Sequence, residues 1–377
     1  MRIFFICGSL EPGRDGVGDY VRQLAKELQN QGHQVAAAAI YDEHIVSGFI
    51  KGGTNHTNDN DFRSIRISRA CNIEDRFRSA NEFLKEFDPE WVSLQFVPYS
   101  FYNKGFPFFL PAYLKNLTEK RKVHVMIHET WSGKKKGFHP TSVVTSYLQR
   151  NLLKRILKSL KPALIHTHLP GYQEVLANLN FETKCLPLFS NIKILQGIEK
   201  TNDKMIIGFF SQVECSKSIL LFLSFLGRKA LNNKIPVEIM LIGGNYSKMK
   251  QFGEFVEQVT YFKNKVTYTG FLSANEISKA IQHCSLAVTP VPRHALGKSG
   301  SVAAFLEHGI PVAAPVVGVN NNENKIGFFS AALQATIITN PEVVALGKVK
   351  EELIRVKGEI SLKKVAYTFI GDIENCR

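Results

Sequence analysis

Gly297-Lys298-Ser299-Gly300-Ser301 stands between an apolar run, residues 286–291, and a helix-like pattern at 302–308. Gly309 is the expected stop, because a glycine just past a helix adopts the left-handed conformation at little cost. Residues 310–314 then read as a buried strand. Strand, small-residue loop, short helix, strand is how an α/β protein holds an anion. Backbone N–H groups turn toward the ligand, and the helix N-terminus adds partial positive charge. The chemistry is phosphate binding, although a tight turn of flexible residues has the same composition.

Two familiar phosphate loops can be tested by spacing. A P-loop requires a glycine five residues before the glycine of Gly297-Lys298-Ser299, and Pro292 occupies that place. The dinucleotide fingerprint G-x-G-x-x-G is absent here. The nearest cluster, Gly13, Gly16 and Gly18, has its spacing reversed and no clear acidic partner. Residues 58–61 contain a carboxylate pair, Asp59 and Asp61, but no strand leads into the polar, glycine-rich loop 47–61. No metal site is expected there.

The elements that must position the loop alternate between strand and helix. Residues 2–7 read as a buried strand and 8–18 as a loop. A helix at 19–31 places Tyr20, Val21, Leu24, Ala25 and Leu28 on one face. Strands are expected at 34–40, 91–96, 123–128, 163–167 and 184–188, and helices at 75–87, 113–121, 142–160 and 171–178, with an aromatic loop at 97–111. After residues 191–203 the alternation restarts, with strands at 205–210, 237–242 and 266–269 and helices at 218–231, 252–262 and 274–283. Helical patterns at 346–356 and 361–375 end the chain. This order predicts an α/β protein of two Rossmann-like, doubly wound domains facing a cleft. Ligands in such sheets sit beyond the carboxyl ends of the strands.

Composition agrees with two globular domains. The chain has 377 residues, 44% hydrophobic and 21% charged. No apolar run reaches the roughly 18–20 residues a membrane span needs, and residues 1–10 read as a first strand, not a signal peptide. The six cysteines lack metal-ligand spacing and read as reduced thiols of a cytoplasmic protein. A formal charge of +14 implies an acidic partner, whether nucleotide, nucleic acid or anionic membrane. No RRM, KH or helix-turn-helix pattern supports nucleic acid.

Four motifs in order resemble the retaining nucleotide-sugar glycosyltransferases of the GT-B fold, specifically glycosyltransferase family 4. Gly16-Val17-Gly18-Asp19-Tyr20, followed by Leu24-Ala25 and Gly32-His33, is similar to the family's opening loop, helix and turn. Gly309-Ile310-Pro311-Val312 is similar to its G-x-P-V signature. Residues 211–218, SQVECSKS, lie where the family has G-R-x-x-x-x-K-G, keeping Lys217 but replacing the arginine by Gln212. His128, at a strand end, resembles the active-site histidine. The resemblance implies an N-terminal acceptor domain over 1–195, a donor domain over 196–357 and a helix at 358–377 crossing back to the first. It implies catalytic roles for His128, Lys217 and Gly16. The donor would be held by Ser211, Gln212, Lys217, Gly297, Lys298, Ser299, Gly300, Ser301 and Glu307. No metal or separate cofactor is implied, and the nucleotide-sugar, UDP- or GDP-linked, is a substrate.

The family also has two glutamates separated by seven residues before G-x-P-V, and here Leu296 and Ala304 fall on those places. Glu307 is the remaining carboxylate, and Gly297–Ser301 could add phosphate contacts. Three readings follow: a glycosyltransferase acting on a glycan or lipid-linked acceptor in envelope or polysaccharide synthesis, an inactive GT-B binding or partner subunit, or another enzyme of the fold such as a nucleotide-sugar epimerase. Side chains add one more expectation. Residues 104–161 carry thirteen Lys or Arg and two acids, +11 of the chain's +14, including Lys134, Lys135 and Lys136 and the basic side of the 142–160 helix. That concentration predicts peripheral docking on anionic lipid at the inner face of the cell membrane. His166 and His168, around another strand end, complete the candidates.

Overall fold

The computed structural model describes residues 1–52, 62–131, 140–198, 204–318, 325–343 and 346–376. The chain divides into two compact units. One comprises Met1–His168, Tyr172–Leu186 and Ala366–Arg377, and the other Leu169–Gly171 and Pro187–Val365.

The first unit is built on β1 (Arg2–Cys7), β2 (Gln34–Asp42), β3 (Phe49–Gly52), β4 (Arg63–Ser68), β5 (Trp91–Phe96), β6 (Lys122–Ile127), β7 (Leu164–Thr167) and β8 (Lys184–Cys185). Their order is β3-β4-β2-β1-β5-β6-β7-β8. Only β3 is antiparallel to its neighbour, β4. The inner strands are largely apolar, as suits strands covered on both faces, with Ser93, Gln95, His124 and His166 set among apolar residues of β5, β6 and β7. Helix α1 (Gly16–Asn30) starts at Asp15, whose carboxylate accepts the Gly18 N–H at 2.5 Å, and buries Tyr20, Val21, Leu24, Ala25 and Leu28. Helices α2 (Ile73–Phe87), α3 (Leu110–Leu117), α4 (Pro140–Leu160) and α5 (Pro170–Ala177) follow. α5 straddles the division between the units.

Two local expectations need correction. The 47–61 loop holds β3, and β4 was not expected because its RSIRIS sequence interrupts apolar residues with arginines. Arg66 is accommodated by ion pairs with Glu11 and with buried Asp42, the latter at 2.8 Å. α3 begins three residues before the pattern placed it, with Pro111 in its first turn, where a missing N–H costs nothing. Residues 58–61 lie outside the described residues.

The second unit has a fully parallel sheet in the order β11-β10-β9-β12-β13-β14. Its strands are β9 (Met205–Phe210), β10 (Val237–Ile242), β11 (Val266–Tyr268), β12 (Leu286–Val288), β13 (Val312–Ala313) and β14 (Ile337–Ile338). Ile206 and Ile242 pack on one face with Val302, Phe305 and Leu306, while Ile207 and Phe209 pack on the other with Phe222 and Phe252. The chain moves from β9 to β10 and β11 on one side, then crosses to β12 on the other. The carboxyl ends of β9 and β12 therefore flank a topological switch point.

The helices of this unit are α6 (Lys217–Asn232), α7 (Tyr246–Glu257), α8 (Ala274–His283), α9 (Gly300–Glu307), α10 (Ala331–Ala335) and α11 (Leu346–Val356). α7 occupies 246–257, with a separate 3-10 turn at Thr260–Phe262, where one helix over 252–262 was expected. The last helix, α12 (Leu362–Glu374), joins the first unit from Ala366 onward. There Phe369 stacks on Phe5 of β1, with ring centroids 6.1 Å apart.

Candidate functional site

In the second unit a cavity of about 470 Å³ opens at the carboxyl ends of β9, β10 and β12. Ser211 and Gln212 line it after β9, Asn245 and Lys248 after β10, and Pro292 and Lys298 after β12. The backbone is shaped to leave this space. Ser211 has φ of 63°, and the Gln212 N–H donates to the Phe210 carbonyl at 2.7 Å. That is a γ-turn with its central residue at positive φ, a strained form for a residue with a side chain. Beside it Gly244 has φ of +79°, and a Cβ there would lie 2.8 Å from the Ser211 carbonyl oxygen. Only glycine fits that approach.

The cavity is chemically suited to an anion. Lys248 and Lys298 line it, with Glu214 as the acidic lining residue. Asn245 caps α7, its side chain accepting the Lys248 N–H at 3.1 Å, so the positive end of a twelve-residue helix starts at the cavity wall. Sequence reasoning had singled out Ser211, Gln212 and Lys298, and the structure brings these three together. It missed Asn245 and Lys248. Their signal was present: Gly243-Gly244-Asn245 ends a strand and precedes a helix, with Asn a favoured cap.

The other donor-site candidates stand differently. Residues 293–298 form a 3-10 helix, and Gly297 is buried. The Gly297 N–H donates to the Gly327 carbonyl at 3.1 Å and the Ser299 N–H to the Leu296 carbonyl at 3.0 Å. These two amides are therefore committed within the protein, which corrects the open phosphate loop expected across 297–301. Ser299 instead caps α9, accepting from Val302, and contacts the Ser301 hydroxyl at 3.1 Å. Gly300 and Ser301 form the first positions of that helix. Lys217 is exposed at the first position of α6, behind the cap Ser216, and is not among the cavity's lining residues.

Glu307 is half-buried, and its carboxylate accepts the Ser190 N–H at 2.7 Å. Burial pushes its carboxyl up to about 7, partly opposed by that N–H and by Lys357. It too lies outside the cavity lining. Leu296 and Ala304 are 1% and 0% exposed within the apolar core, so the places of the family's glutamates hold packing side chains.

In the first unit His128 is buried and both ring nitrogens are engaged. Nε2 lies 2.9 Å from Gln95 Oε1 and Nδ1 lies 3.0 Å from His168 Nε2. A hydrogen bond from this ring to a sugar would require one of those contacts to be given up. Burial, with the neighbouring His168, holds its pKa well below the usual histidine range. Tyr20 packs edge-on against both rings. Gly16 is the exposed first residue of α1, with open space where a Cβ would be. The close fit in that loop belongs to Gly18, where a Cβ would lie 2.6 Å from the Ser9 carbonyl oxygen. A cavity of about 610 Å³ in this unit, lined by Lys158, Lys161 and Lys184, lies at the amino ends of β7 and β8, away from the end where such sheets bind ligands.

No protein-family model matches the chain, and no curated protein matches it. Solved structures do. Sucrose-phosphate synthase from Thermosynechococcus elongatus superposes with a TM-score of 0.57 at 13% identity, covering 100% of this chain and 94% of that one. The lipopolysaccharide outer core galactosyltransferase WaaB gives 0.52 at 12%, covering 100% and 99%. UDP-GlcNAc 2-epimerase from Neisseria meningitidis, solved bound to UDP-GlcNAc, gives 0.53 at 9%, covering 100% of both chains. The fold is GT-B, with two Rossmann-like domains.

Proposed function

We propose that the protein is a GT-B glycosyltransferase that moves a sugar from a UDP- or GDP-linked donor to a glycan or lipid-linked acceptor, with retention of configuration. The observation that carries this reading is the cavity at the switch point of the second unit, lined by Lys248 and Lys298 beside the N-terminus of α7. Cleaving a sugar–diphosphate bond leaves negative charge on the departing phosphate, and preorganised cations and N–H groups stabilise that charge. Lys217, first residue of the helix after the Ser211–Gln212 turn, is assigned a further cationic contact, and Gly300 and Ser301 the remaining free end of α9. The transfer proceeds without a metal, the leaving phosphate oxygen helping to take the acceptor's proton on the same face.

Calorimetric titration with UDP, GDP and their sugars tests the placement. Lys248→Ala and Lys298→Ala should each weaken binding by about 1.5–3 kcal/mol, the worth of a hydrogen bond to a charged group. Unchanged affinity in both variants would refute it. Turnover should survive excess chelator, and dependence on added divalent metal would end the metal-free route.

A second reading, a GT-B protein that binds nucleotide-sugar without transferring it, is favoured by the apolar burial of Leu296 and Ala304. Donor binding with no transfer or hydrolysis across acceptors would select it. For the acceptor side we propose docking on anionic lipid through α4. That helix buries Leu152, Leu153, Ile156, Leu157 and Leu160 and exposes Val143, Val144 and Tyr147 to 45%, 57% and 63%, beside exposed Arg150, Arg155 and Lys158. Lys134, Lys135 and Lys136 lie outside the described residues. Flotation with anionic against neutral vesicles checks this, and equal recovery from both would exclude the lipid surface.

A further inference from the structure

One face of β5, β6 and β7 carries a hydrogen-bonded series of polar side chains that runs around Met126. Parallel register sets Ser93 beside His124, Gln95 beside Met126 and Met126 beside His166, so residues 93, 95, 124, 128, 166 and 168 share that face. Seven contacts run through it. Asp372 Oδ2 lies 3.0 Å from His166 Nε2, and His166 Nδ1 lies 3.1 Å from His124 Nε2. His124 Nδ1 lies 2.7 Å from the Ser93 hydroxyl, and Ser93 lies 2.7 Å from the Gln95 amide. Gln95 contacts His128 at 2.9 Å, His128 contacts His168 at 3.0 Å, and His168 Nδ1 reaches the Leu186 carbonyl at 2.8 Å.

Counting hydrogens along this series gives a definite result. Each of the seven contacts needs one hydrogen. The carboxylate of Asp372 and the carbonyl of Leu186 can only accept. Each of the six members between them, when neutral, supplies one: a hydroxyl, an imidazole N–H, or an amide that donates on one side and accepts on the other. Six neutral donors cannot fill seven contacts. Turning the Gln95 amide over changes the direction of donation but not the count. Unfilled contacts between buried polar atoms are costly.

We infer that this series is a proton-binding site: it takes one proton from solvent beyond its neutral complement and holds it as a buried imidazolium on His166, against Asp372. The carboxylate selects that end. Burial lowers the pKa of His124 and His128 strongly, with neighbouring rings adding to it. Burial lowers that of His166 too and outweighs the upward pull of the Asp372 hydrogen bond and charge. It is therefore the hydrogen count with the facing carboxylate, against that direction, that places the proton here. Among the described residues, these groups face the series. Lys184 of β8 bonds the other Asp372 oxygen at 2.7 Å and acts against the charge on His166. Glu182 acts on Lys184. Burial keeps the Tyr20 hydroxyl of α1 and the Cys185 thiol of β8 protonated. Phe369 of α12 presents an apolar ring to His124 and His166. With His166 charged, the Gln95 amide, which in the structure points its nitrogen at Ser93 and its oxygen at His128, turns over so that the oxygen accepts from Ser93 and the nitrogen donates to His128. His128 is then neutral, with Nε2 accepting and Nδ1 donating to His168.

Nitrogen-15 resonances of histidine-labelled full-length protein, read at pH about 8 where free histidine is neutral, test the site. One imidazolium is expected. Asp372→Asn supplies the seventh hydrogen from its own amide while its oxygen still accepts from Lys184, so in that variant the imidazolium should vanish with the fold retained. A wild-type protein with only neutral histidines overturns the inference, and so does an imidazolium that persists in Asp372→Asn. Should the variant fail to fold, the wild-type spectrum alone decides.

Discussion

The two sheets finish their carboxyl ends in opposite ways. In the first unit the polar side chains of β5, β6 and β7 bond to one another and to α12, and His128 and His168 have both nitrogens occupied. In the second, the corresponding ends of β9, β10 and β12 open on a cavity lined by two lysines. The same architecture thus supports two uses of buried polarity. Closed on itself, it fastens a helix; left open beside a helix N-terminus, it presents two lysines to a cavity.

The sharpest way to break this comparison is His128→Ala. The substitution leaves Gln95 and His168 buried without that partner and opens a cavity, so the expected loss of stability is about 3–5 kcal/mol by denaturant unfolding. Nucleotide affinity of the folded variant should hold. A variant as stable as the parent would mean the closed series contributes nothing. On the open side, Lys248→Glu with Lys298→Glu should leave stability nearly unchanged and reduce nucleotide affinity by about 3 kcal/mol or more, since charge-assisted bonds are replaced by repulsion. Loss of folding instead of binding would make those lysines structural.

Gly244→Ala probes how the open site is kept open. Its φ of +79° and the Ser211 carbonyl oxygen 2.8 Å from a new Cβ force either the glycine turn or the Ser211 turn to move. About 1–3 kcal/mol of stability should be lost, together with nucleotide binding. Retained affinity in a destabilised protein would separate the turn's shape from the ligand site.

How much of this was legible in the sequence follows from what each residue responds to. Largely apolar runs such as MIIGFF and VEIMLI marked β9 and β10 to the residue, because apolar side chains on both faces suit a strand covered on both sides. Ser211 and Gln212 were found because SQVECSKS falls where the family it resembles has G-R-x-x-x-x-K-G, and Lys298 because small residues after an apolar run point to a ligand loop. Lys248 was missed because helix α7 was placed six residues late, its cap Asn245 going unread. The proton-binding series was invisible for another reason. Ser93 and Gln95 lie two apart in one apolar strand, and His124 and His166 lie inside two others, but which strands are neighbours is a tertiary fact. The committed amides of Gly297 and Ser299 likewise depend on Gly327 and on a 3-10 turn that small residues permit but do not dictate.

The smallest effect contrasts Asp42 and Asp372 of the first unit with Glu307 of the second; elsewhere in the first unit burial raises Asp15 and Asp19. In the first, burial raises the carboxyls of Asp42 and Asp372, but hydrogen bonds from Arg66, and from His166 and Lys184, more than offset it and both end lowered. In the second, Glu307 has chiefly the Ser190 N–H, and burial wins, with its carboxyl near 7 against an ordinary 4.5. A carboxyl raised by folding binds a proton more tightly in the native state than in the unfolded one. Between pH about 4.5 and 7 the native protein therefore holds the extra proton, and stability falls as pH rises through that window. Partial exposure screens the effect, leaving about 1 kcal/mol. Glu307→Gln keeps an oxygen for the Ser190 N–H and removes the titration. Denaturant midpoints of the variant should therefore lack this decline between pH 5 and 7.5, while the parent shows it. Identical slopes in the two proteins would place the Glu307 carboxyl with Asp42 and Asp372.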